Sequence, residues 1–284
     1  MRRKRLVLPL LLFPGVGYLL FFFGIPLFLA VMGGFGLYNI AGDNSFTLEH
    51  YRKLLVVREF RDGLILTLYL AFTSTGLGLV VSVPLAAMLQ LNFVGKKAFN
   101  AIYKVPLVVP SVVAAFLVLT FIDRGGMTSR ALALVNIDMP KMVRDRWAIG
   151  VLIAMTWKSI PFMTLIIGGS MAGISKDVLH AARTLGARPL TVFLRMQIPL
   201  ALPGITAATL LTFIGAMGAF VVPNLLGPVY PLPLSVHMYD NAFEFNEWGL
   251  VSAMGTIITL VSTAVLLTYY RLTRGAQRAF QAGH

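Results

Sequence analysis

Cysteine is absent from the 284 residues, so no disulfide, thiolate nucleophile or Cys-based metal site exists here. Charge is scarce as well. Asp, Glu, Lys and Arg make up 12% of the chain, whereas hydrophobic residues make up 57%. Soluble domains carry roughly twice that share of charge, so this much apolar surface must meet lipid rather than water. No carboxylate lies inside a long apolar run, which removes the intramembrane acids of a protease or proton pump. Gly-x-Ser-x-Gly is missing. The four histidines, His50, His180, His237 and His284, are scattered without metal-ligand spacing. The one Gly-Lys pair, Gly95-Lys96, is followed by Lys97 and lacks the upstream glycine of a phosphate loop. No catalytic residue, metal ligand or cofactor of the chain's own is expected.

What the sequence has is six apolar stretches, at about 6–37, 64–91, 101–122, 147–171, 199–226 and 250–270. Each can cross a hydrocarbon core of about 30 Å at about 1.5 Å per residue. They predict an all-α polytopic membrane protein with six transmembrane helices. The first follows Met1-Arg2-Arg3-Lys4-Arg5. Its run far exceeds the roughly 7–15 residues of a signal-peptide core, so it reads as a retained anchor. Pro9, Pro14 and Pro26 are expected to kink or break it.

The charges order these spans. With the N-terminus inside, the inner segments collect Lys96, Lys97, Lys104, Lys176, Arg183, Arg188, Arg195, Arg271, Arg274 and Arg278 beside the N-terminal cluster, against a single acid, Asp177. All other acids fall outside. This is the positive-inside bias, and it places both termini in the cytoplasm. The net charge of +13 is then a topology signal, with no nucleic-acid partner implied. The organisation read from this pattern is a tail and first span over 1–37, an external loop over 38–61, a core over 62–271 and a cytoplasmic tail over 272–284. The external loops are expected to hold short interfacial helices.

Residues 173–198, between spans four and five, form the longest inner loop. Ser175 is expected to be an N-cap, with Leu179, Ala182 and Leu185 along one helical face. Gly186 suits a helix stop and Pro189 a helix start. Leu190, Phe193 and Leu194 suggest an apolar stripe on the second helix. A short amphipathic helix at the inner face would plug a groove on another protein.

This loop resembles the EAA motif of ABC importer permeases: Glu-Ala-Ala, three residues, Gly, nine residues, Ile, one residue, Leu-Pro. Ala181-Ala182, Gly186, Met196 and Ile198-Pro199 stand at those positions, with Pro203-Gly204 following. His180 replaces the usual Glu. Phe46–Tyr51 and Asp62–Leu68 resemble segments before and at the start of the core in such permeases. Gly218–Gly227 and Glu247–Ala253 resemble the branch handling polyamines, iron(III) and phosphonates. The resemblance implies a type I ABC importer permease in the inner membrane, with Asp177, His180, Ala181, Ala182, Leu185 and Gly186 coupling it to a cytoplasmic ABC ATPase dimer that uses ATP and Mg. It implies a second permease subunit, expected to be a different chain, and an external solute-binding protein. A spermidine or putrescine substrate is expected, with phosphonate, iron(III) or sugar as alternatives. An ion-driven carrier is the remote alternative and would need intramembrane carboxylates or a broken-helix ion site.

Lys158 is the one ionisable residue within a span, in Trp157-Lys158-Ser159-Ile160-Pro161-Phe162. A charge at mid-membrane costs at least about 2.5–3.5 kcal/mol and so needs a polar cavity or a partner. Trp157, Lys158, Ser159, Met217 and Phe220 are the candidates to line a pathway. The competing reading makes Lys158 a structural contact at a kink at Pro161, and Met217, Phe220, Gly215 and Gly218 helix-packing residues.

Overall fold

The computed structural model describes residues 12–39 and 44–282. The basic cluster Met1–Arg5, Pro9 and His284 lie outside them. The described residues form helices and no strands. Five helices are long and apolar enough to cross a membrane, and a bent pair makes the sixth span when taken as one. In chain order the helices are α1 (Leu12–Gly34), α2 (Glu49–Val56), α3 (Arg58–Met88), α4 (Lys96–Ile102), α5 (Val105–Val108), α6 (Ser111–Ile122), α7 (Met127–Ala133) and α8 (Ile149–Ala172). Then follow α9 (Lys176–Thr184), α10 (Pro189–Leu200) and α11 (Leu202–Met217), α12 (Val221–Leu226), α13 (Leu234–Phe243) and α14 (Trp248–Ala282).

Proline decides where these helices yield. The break expected at Pro26 does not occur. A π turn at Leu20–Gly24 ends just before it, and the Ile25 N–H donates to the Leu20 carbonyl. The same device, Phe193–Gln197, precedes Pro199, where the Ile198 N–H donates to Phe193. A proline lacks the N–H and its ring crowds the carbonyl four residues back. Widening the turn makes room without ending the helix.

Two spans expected as single helices are broken. The stretch 101–122 becomes α4, α5 and α6. Pro106 opens α5, and Val109 and Pro110 are extended ahead of α6, as a residue before proline prefers. The stretch 199–226 bends by 68° between α10 and α11, then stops at Gly218. Pro223 has no N–H for the Ala219 carbonyl. The Ser235 hydroxyl donates to that carbonyl instead, at 2.6 Å.

The chain divides into two units. One combines the segment up to Arg61 with His237–Leu260. In it Gly33 lies against Ser252, where a Cβ would come within 2.6 Å of the hydroxyl, and Gly249 lies under the His50 ring. Phe35 packs on Tyr51 at 5.0 Å between ring centres. His237 is buried, edge-on to Phe60 at 5.3 Å, with Nδ1 3.8 Å from the Glu59 carboxylate. Burial pushes its pKa below the ordinary 6.5, while Glu59 and Asp240 pull it back up. The lowered value means that the unfolded chain takes up the proton first as pH falls below 6.5. The stability of this unit is therefore expected to be full above that pH and to decline below it, towards the folded-state pKa. Limited proteolysis from pH 7.5 to 5 should show this decline in the natural chain. His237→Asn should flatten it.

The other unit comprises Asp62–Val236 and the chain from Val261. Its axis is α8, which packs chiefly on α11. Gly204 brings the two together, since a Cβ there would overlap the Ser170 side chain. Small residues let helices approach in lipid, where hydrophobic driving force is lacking. Ala201 and Ala208 join Met163 and Ile167 in one apolar cluster. Val151, Leu152 and Ala154 of α8 join Leu66, Leu70 and Leu226 in a second.

Candidate functional site

Between those clusters, the α8 residues Met155, Lys158, Ser159 and Phe162 line a cavity of about 410 Å³. Opposite walls come from Ser74 of α3, Ser111 at the start of α6, Thr212 and Gly215 of α11, and Phe220 at the break before α12. Two of the broken helices thus meet at one cavity, mostly apolar, that holds a lysine and four hydroxyl side chains. Irregular backbone at membrane depth is tolerated where protein buries it or a wet cavity borders it.

Lys158 is the pivot. Its ammonium donates to the Val109 carbonyl at 2.6 Å, at the break between α5 and α6. The break supplies an acceptor with no helical partner, and the lysine supplies a strong charge-assisted donor. The two readings of Lys158 therefore merge: it is a structural contact and it lines the cavity. The contact is at Pro110, not at Pro161, where α8 continues unbroken. Ser159 donates to the Thr156 carbonyl at 2.9 Å, and Ser74 donates to Leu70 at 2.6 Å.

The cavity brings together Lys158, Ser159 and Phe220. It does not include Trp157 or Met217. Met217, the last residue of α11, is 1% exposed and belongs to the packed interior. Ser74, Ser111 and Thr212 were not singled out from sequence. Single hydroxyls in apolar runs carry no periodic signal. Pro110, directly before Ser111, was the available hint.

The loop after α8 is built as two helices around a glycine turn. The Ser175 hydroxyl accepts from the Asp177 N–H at 3.2 Å, capping α9. At the other end Gly186 takes φ +84°. Its N–H donates to Arg183 at 3.0 Å and that of Ala187 to Ala182 at 3.1 Å. This paired closure is the Schellman motif, which suits glycine because the left-handed conformation costs it nothing. Asp177, His180, Ala181, Leu185 and Gly186 are exposed and Ala182 is half-buried. Leu185 is 88% exposed; it stands at the cap, off the face shared by Leu179 and Ala182. The apolar stripe of α10 differs from expectation. Val192 is buried and Phe193 and Ile198 pack on the α8–α11 cluster, whereas Leu190 and Leu194 are exposed.

Residues 66–278 match the family described as binding-protein-dependent transport system inner membrane component. A probable ABC transporter permease protein, y4oQ of Sinorhizobium fredii, is 29% identical over 274 residues, covering 93% of this chain and 89% of that protein. The spermidine/putrescine transport system permease protein PotB of Escherichia coli is 30% identical over 231 residues, 81% of this chain and 83% of PotB. The molybdenum transport system permease protein ModB of Mycobacterium bovis is 28% identical, over 75% of this chain and 80% of ModB. In fold, the chain is similar to one from a bacterial ABC transporter involved in alginate import, with a TM-score of 0.79, 19% identity and 96% of each chain covered.

Proposed function

This chain belongs to the binding-protein-dependent transport system inner membrane components, the permease subunits of ABC importers, and from that premise we propose how it works. It forms half of a translocation pathway for a small polar solute delivered by an external binding protein. A second permease, a different chain, forms the other half. A cytoplasmic ATPase dimer binds and hydrolyses ATP with Mg, and α9 docks into it through Asp177, His180, Ala181, Ala182, Leu185 and Gly186. Both termini lie in the cytoplasm, as the charge bias requires.

The observation that carries this reading is the exposed, well-capped α9 at the spacing of the family's EAA loop. It presents an exposed surface at the end of α8. ATP binding closes the ATPase dimer, the docked helices move together, and the bundles rock between inward-open and outward-open. Such a switch needs only contacts that differ between two states. His180 in place of the usual Glu puts an imidazole, not a carboxylate, at the docking face.

Kinship speaks for spermidine or putrescine through PotB and, with lower identity and coverage, for molybdenum through ModB. The test of the common reading is co-purification of the tagged chain from its native membrane in gentle detergent. An ABC ATPase and a second permease chain are expected by mass spectrometry. A chain that comes down alone, and transports in vesicles without ATP, would overturn it.

A further inference from the structure

The charge of the solute can be argued from the cavity, given the importer reading above. Among the described residues lining this cavity, Lys158 is the one ionisable group and no carboxylate is present. Beside it α6 begins at Ser111, itself on the cavity wall. Pro110 precedes that start, and no side chain caps it. First-turn N–H groups have no acceptor within their own helix, and they form the positive end of its dipole. The Lys158 ammonium is held two residues upstream, at Val109. A cation and a helix start of the same sign thus share one corner; the Val109 carbonyl takes one ammonium hydrogen, but no carboxylate among the lining residues supplies a countercharge. The Thr212 hydroxyl oxygen, on another part of the wall, is buried without a hydrogen-bond partner.

We infer that the transported solute carries an anionic oxygen group, a carboxylate, phosphate, phosphonate or sulfate, which passes through the corner made by Lys158 and the start of α6. Such a group is met by an ammonium and by backbone N–H donors, which are strong partners for anionic oxygen. It also relieves the repulsion between them. A polyamine would meet like charge there, and a neutral sugar would leave the repulsion in place.

The test compares cells lacking this chain with the same cells complemented, fed an equimolar isotope-labelled mixture of spermidine, trehalose, citrate, sulfate, glycerol 3-phosphate and 2-aminoethylphosphonate. Intracellular label is read by mass spectrometry. The expected result is that complementation raises one of the four acid-bearing solutes at least tenfold, and which of them rises identifies the group. Thr212→Asp, which sets a carboxylate on the cavity wall, should lower that gain at least tenfold while the chain still co-purifies with its ATPase. Should that variant fail to assemble, Ser159→Asp makes the same charge test from α8. A gain in spermidine or trehalose instead, or a gain untouched by the added carboxylate in an assembled complex, would overturn the inference. Accumulation that persists after ATP depletion would sink the importer reading itself, whatever the solute's charge, so the two failures are distinguishable.

Discussion

Replacing Gly186 by valine is expected to uncouple ATP turnover from transport while leaving the membrane helices folded. Gly186 sits at φ +84°, where a side chain costs about 1–2 kcal/mol and a β-branched one more. A Cβ there would touch nothing within 4 Å, so the penalty is purely one of backbone conformation. It falls on α9, nine residues long and too short to hold itself together without its caps. A loss of about 2 kcal/mol lowers the population of the docked-ready helix roughly thirtyfold. The series Gly186, Gly186→Asn, Gly186→Ala, Gly186→Val should show progressively weaker stimulation of ATP hydrolysis by the solute-loaded binding protein, since Asn tolerates the left-handed region best of the three substitutes. Equal stimulation across the series would show that the Gly186 turn does not control coupling.

Lys158→Met is expected to cut solute accumulation more than tenfold with only a small change in thermal stability. Two stability effects oppose each other. The variant loses a charged hydrogen bond to Val109, worth about 1.5–3 kcal/mol. It also relieves the cost of a charge at membrane depth, which for a half-buried lysine beside a cavity falls to about the 2.5–3.5 kcal/mol of the low estimate or below it. The sum is near zero, so the midpoint of thermal unfolding in detergent should move by only a few degrees. Transport has no such offset, because no other ionisable group lines the cavity among the described residues. A merely structural lysine predicts the reverse: a large fall in the midpoint, with normal accumulation per folded molecule. Lys158→Arg, which keeps a cationic donor, should restore part of the transport.

Much of this was legible in the residues. The apolar runs and the scarcity of charge require a helical membrane protein, because only helices or closed barrels satisfy their own backbone in lipid. The Ser175 cap, the Gly186 stop and the Pro189 start were readable because capping and left-handed turns depend on a residue and its immediate neighbours. Lys158 stood out because its burial is costly wherever it points. The broken spans were less legible. Pro26, Pro199 and Pro223 are each one residue in an apolar run, yet the first two are absorbed by π turns and the third sits in the first turn of a new helix, α12, after the break at Gly218. The outcome depends on what meets the freed carbonyl, and at Ala219 that is the Ser235 hydroxyl, from a distant part of the sequence.

The sequence by itself determined the solvent, the span count and the loop with its spacing, since these follow from composition, periodicity and local backbone preference. Only the tertiary structure decided which residues share the cavity. It joined Ser74, Ser111 and Thr212 to Lys158 and turned Met217 away from it. It also paired the Lys158 ammonium with the Val109 carbonyl, 49 residues apart in the chain. Such pairings are fixed by how helices cross and where they break, and no local preference encodes them.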